Sequence, residues 1–146
     1  MKKNVLPMVV IVGGGFLLWN LAFVMLAGIA ALERLVFRTG EMGATYGLAR
    51  GIFLVLILLT TYLIFRTKFP DFIKATVLTV PMISILVLIG MKCYMYPMWV
   101  SLIIGGSFLA LIAFVAYLAK AKWVYYFATA YVGIIGLMIA VFQIEI

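Results

Sequence analysis

Charged residues divide this chain into five long apolar stretches, at residues 5–31, 44–65, 73–91, 98–119 and 123–143. Each is near or above the ~20 residues a helix needs to cross a ~30 Å hydrocarbon core. The pattern predicts an all-α, polytopic membrane bundle of five transmembrane helices in a single domain, residues 1–146. The first stretch is the longest; at ~1.5 Å per residue it reaches about 40 Å and is expected to tilt or protrude. The third is the shortest, with Lys74 at its edge and Pro81 inside, so a kink or a local thinning of the bilayer is expected there. Lys2 and Lys3 before an apolar run have the outline of a signal peptide. That run is too long for one and no small-x-small site ends it, so an uncleaved first helix is expected.

Composition agrees with this reading. The chain is 68% hydrophobic and 10% charged, where a soluble domain is about half apolar and a quarter charged. A soluble domain, a disordered tail and a nucleic-acid-binding module are thereby excluded. The net charge of +7 does not signal nucleic acid here, because the cations lie between apolar runs, where they anchor and orient helices. With the N-terminus inside, the inner side carries Lys2, Lys3, Arg66, Lys68, Lys74, Lys120 and Lys122, and the outer side Arg34, Arg38 and Lys92. Seven against three predicts N-in, C-out, in a bacterial or archaeal cytoplasmic membrane.

Reactive side chains are scarce. There is no histidine, one cysteine (Cys93), and four acids: Glu33, Glu41, Asp71 and Glu145. A b-type haem site, a Ser-His-Asp site, an internal disulfide, a CxxC pair and a zinc cluster are all excluded within the chain. No catalytic residue, metal or cofactor is therefore expected, and the chain reads as a non-enzyme.

Arg50 is the most informative position. Only 15 residues separate it from the next charge, Arg66, too few to span, so the second helix must include residues upstream of it. A cation about 6 Å inside the core must snorkel, meet a counter-charge such as Glu41 or Glu33, or line a wet cavity that takes an anion. Arg34 and Arg38 stand i,i+4 on an extension of the first helix, on the same expected side. Three guanidiniums there would suit a phosphate, since the planar fork binds two oxygens at once. The candidate binding residues are thus Arg50, Arg34, Arg38, Glu33 and Asn20, the last polar at mid-span and expected to face protein.

Small residues form the second signal. Gly43, Gly47 and Gly51 make a GxxxGxxxG ladder, read as a close helix-packing seam. Further seams are expected at Gly13, Asn20, Ala27 and Arg34; at Gly106, Ala110 and Ala113; and at Thr129, Gly133, Gly136 and Ala140. Gly13-Gly14-Gly15 inside the first helix reads either as tight packing or as a hinge facing a ligand. Pro81 frees the carbonyl of Val77, which Thr76, Thr79 or Ser84 is expected to help satisfy.

Two functions follow. One is a transporter-type protein without catalytic chemistry that binds or moves an anionic or amphiphilic solute or lipid, as a homo-oligomer or with a partner membrane subunit. The other is an accessory or assembly subunit of a larger membrane complex.

Overall fold

The computed structural model describes residues 2–37, 42–93 and 95–142, with the side chains of 3–36, 48–93 and 95–140. Five helices account for nearly all of them: α1 (Lys2–Phe37), α2 (Met42–Arg66), α3 (Asp71–Lys92), α4 (Met98–Leu118) and α5 (Trp123–Phe142). Each is long and apolar enough to cross a bilayer, and no strand occurs among the described residues. The connections at 67–70, 93–97 and 119–122 are short, so the helices they join run antiparallel.

The predicted bounds hold to within two residues except on α1, which begins at Lys2 and continues past Ala31 to Phe37. Residues 32–37 (Leu-Glu-Arg-Leu-Val-Phe) include neither glycine nor proline, so nothing in the backbone stops the helix where the charges begin. With 36 residues, α1 is about 54 Å long, well beyond a ~30 Å core.

The central helix is α3, which packs against all four others and buries a continuous run from Thr79 to Ser84. Its buried hydroxyls are satisfied within the helix. Thr76 donates to the Phe72 carbonyl at 2.7 Å, Thr79 to Thr76 at 2.6 Å and Ser84 to Val80 at 2.8 Å. Ser84 thus serves the region around Pro81, at Val80, while none of the three hydroxyls is bonded to the Val77 carbonyl. α3 nevertheless runs unbroken through that proline.

Glycines set the contact between α1 and α3. A Cβ built on Gly14 would stand 3.0 Å from the Thr76 methyl. One on Gly15 would stand 3.0 Å from Thr79 Oγ1 and 3.3 Å from a Tyr131 ring carbon. The triple glycine is therefore a packing device at Gly14 and Gly15, while Gly13 faces open space. Tyr131 Oη completes this contact by donating to the Val12 carbonyl at 3.2 Å, joining α5 to α1.

The same device recurs between α3, α4 and α5. Leu86 lies between Gly105 and Gly136, 3.3 and 3.2 Å from where their Cβ atoms would be, and Leu109 lies 3.3 Å from that of Gly133. The predicted α5 seam of Thr129, Gly133 and Gly136 thus faces inward. The predicted α4 seam does so only at Ala113, which is half-buried: Gly106 meets nothing within 4 Å and Ala110 is exposed, while Gly105 is buried. One residue along a helix turns the face by about 100°, enough to exchange core for surface.

At the end of the bundle where α3 and α5 begin, Lys122 pairs with Asp71 and Tyr125 Oη donates to Asp71 Oδ1 at 3.3 Å. The Phe65 ring at the end of α2 lies 6.0 Å from that of Tyr125. Lys120 closes α4 in a left-handed conformation (φ 50°), and Ala121 N–H donates to the Ala116 carbonyl at 2.9 Å.

Candidate functional site

At the opposite end, α1, α2 and α3 enclose a groove of about 850 Å³. The last four turns of α1 form one wall, including Ala22, Ala27, Ala30 and Ala31, whose single methyl groups leave room. Phe53 of α2 and Val87, Leu88 and Met91 of α3 form the others. Trp19 closes the far end. The charged lining residues are Arg34 and Arg50.

Helix geometry explains why these two arginines converge. On α2 the residues Ala49, Phe53, Ile57 and Thr61 are buried at i,i+4 spacing, so they mark the face turned to α1 and α3. Arg50 is half-buried and sits within that face, about 100° from Ala49 but only about 60° from Phe53. On α1, Arg34 falls two turns beyond Ala27 and one beyond Ala30, and so shares the groove with them. The extension of α1 past Ala31 is what carries Arg34 to the level of Arg50.

The other predicted residues divide. Glu33 is buried (7% exposed) with Oε2 lacking a hydrogen-bond partner. It is not among the groove's lining residues, although it stands two turns beyond Leu26, which lines the groove and packs with Ala22, Phe53, Ile57 and Val80. Asn20, expected to face protein, is exposed, and its Nδ2 donates to the Phe16 carbonyl of its own helix at 2.8 Å. Arg38 and Glu41 lie outside the described residues. Of the glycine ladder, Gly43 and Gly47 lie outside the residues whose surroundings are described. Gly51 is exposed with nothing within 4 Å of its Cβ position, so the expected seam does not face the bundle there. It borders an outward-facing apolar hollow with Leu48, Ile52, Val55 and Leu56.

Sequence reasoning placed Ala27 and Arg34 on one face of α1 but missed Ala22, Ala30 and Ala31 and the whole α3 wall. The alanines carried a signal, since they cluster between residues 22 and 31. The α3 residues carried none, because which helix completes the groove is a matter of tertiary packing.

The arrangement can hold an anionic group between guanidiniums, with apolar surface beside it. Among the described residues no cluster of three His, Cys, Asp or Glu side chains is placed to hold a metal. Comparison with models of known protein families, with curated proteins and with solved structures finds no match to this chain.

Proposed function

We propose that this chain is a small integral membrane protein, without catalytic chemistry of its own, that binds or moves an anionic or amphiphilic molecule in the groove lined by Arg34 and Arg50. The observation that supports this reading is their convergence: two arginines from different helices line one groove whose remaining walls are largely apolar. Guanidiniums at the end of a membrane span favour an anion there. The loop charges favour N-in, C-out insertion, which places the arginine end outside; a bacterial or archaeal cytoplasmic membrane is the setting proposed with it. Arg50→Ala is expected to abolish anion binding by the purified protein while leaving its folding and assembly intact. Unchanged binding in that variant would sink the reading.

A second reading, as an accessory or assembly subunit, draws on Asn20. A polar side chain exposed midway along α1 is better covered by protein than by hydrocarbon, which favours a second copy or a partner subunit on that face. Recovery of the chain from native membranes with a partner at fixed stoichiometry is the expected result. Recovery as a pure self-oligomer would count heavily against this reading.

A further inference from the structure

The groove's length and polarity point to its occupant more narrowly. We infer that it holds an anionic phospholipid taken laterally from the bilayer, with the phosphate at Arg34 and Arg50 and one acyl chain lying along α1 toward Trp19. This deepens the reading above and rests on it.

Three observations carry the inference. The first is length. From Trp19 to Leu35 the groove follows α1 for 16 residues, about 24 Å at ~1.5 Å each. One leaflet, half of a bilayer ~40–45 Å thick with its headgroups, is about 20–22 Å. The groove is as long as one lipid, not as long as a phosphate. The second is the segregation of polar groups. Both guanidiniums lie at one end, Arg34 about one turn from the end of α1 at Phe37 and Arg50 about two turns from the start of α2 at Met42. Toward the other end the polar groups of the lining side chains are the Ser84 hydroxyl, already engaged with the Val80 carbonyl, and the indole N–H of Trp19. A water-soluble anion would fill the arginine end and leave the rest to water that has few partners there. The third is access. Phe23 (51%) and Leu35 (76%) line the groove and are also exposed, so it is open along its side to the medium around the helices. An acyl chain can enter there without crossing the polar end.

Trp19 supplies the assay. Trp99 and Trp123 are surface residues, so Trp99→Phe with Trp123→Phe leaves Trp19 as the sole indole. This protein is reconstituted in phosphatidylcholine vesicles containing either tail-brominated phosphatidylglycerol or tail-brominated phosphatidylcholine, and quenching of Trp19 is followed against mole fraction. The anionic lipid is expected to reach half-maximal quenching at roughly tenfold lower mole fraction, as two arginines near the surface would give. Arg34→Gln with Arg50→Gln is expected to abolish that preference. If the two brominated lipids quench alike, the inference is overturned. Binding of inorganic phosphate to the detergent-purified protein separates the failures. Phosphate binding that needs Arg50, without lipid preference, overturns the lipid and leaves the anion site standing. Neither binding nor preference overturns both. Should the double Phe variant not fold, the wild type is compared with Trp19→Phe, and the lipid-specific quenching is expected to vanish in the latter.

Discussion

The two sides of α3 use small residues to opposite ends. Toward α1 and α5, Gly14 and Gly15 bring backbones so close that a methyl group would touch Thr76, Thr79 or Tyr131. Toward the arginine end, Ala22, Ala27, Ala30 and Ala31 of the same α1 wall a groove that no side chain fills. A small residue therefore permits close packing without causing it. Whether it yields a seam or a space depends on what the facing helices present: threonines and a tyrosine in one case, and Phe53, Val87, Leu88 and Met91 around unfilled space in the other.

Substitutions that add the same bulk to both places separate these roles. The largest expected effect is Gly15→Leu, which drives a side chain into Thr79 and Tyr131. Overpacking of this kind costs about 1–3 kcal/mol or more, read as a lowered melting temperature in detergent; an unchanged value would mean that α1 and α3 are not in contact there. Tyr131→Phe removes the hydroxyl that donates to Val12 and is expected to cost about 0.5–1.5 kcal/mol by the same measurement. Asp71→Asn breaks a pair whose partners are well exposed (37% and 70%), so no more than about 0.5 kcal/mol is expected, and less still at high salt. A large, salt-independent loss would place that end of the bundle under far more load than its exposure allows. The smallest effect on stability is expected from Ala30→Leu, within about ±0.5 kcal/mol, because the leucine enters unfilled space. It should nonetheless abolish the anionic-lipid preference of Trp19 quenching. A destabilisation matching that of Gly15→Leu would erase the contrast between the two sides.

The five helices were legible because an apolar run of spanning length has few other solutions in lipid. Their bounds were legible where charges interrupt the apolar pattern, and Pro70 and Pro97 stand as the N-cap residues just before α3 and α4. The end of α1 was legible only in part: Arg34 was placed on an extension of the helix, but the apolar run stops at Ala31 because Glu33 and Arg34, though good helix formers, break the hydropathy pattern. Which face of each helix turns inward was only partly legible. Thr129, Gly133 and Gly136 turn inward as expected, but in α4 the choice between Gly105 and Gly106 cannot be made from a helix that is apolar all round. Asn20 was assigned inward because a polar group in lipid is costly, and the bond to Phe16 within α1 partly relieves that cost. Arg34 and Arg50 were legible as a pair because a short hairpin puts the end of one helix beside the start of the next. The third wall of their groove was not, since α3 joins it only through packing remote in sequence.

The clasp of Asp71, Lys122, Tyr125 and Phe65 has a mechanical consequence. It lies at the end of the bundle away from the arginines, and it holds α2 through the ring of Phe65. Elsewhere among the described residues α2 packs on α1 and α3 alone. Arg50 stands 15 residues along α2 from Phe65, about 22 Å at ~1.5 Å each, so a small rotation of α2 about that pivot would carry Arg50 sideways without breaking any of the close glycine contacts, which all lie on α1, α4 and α5.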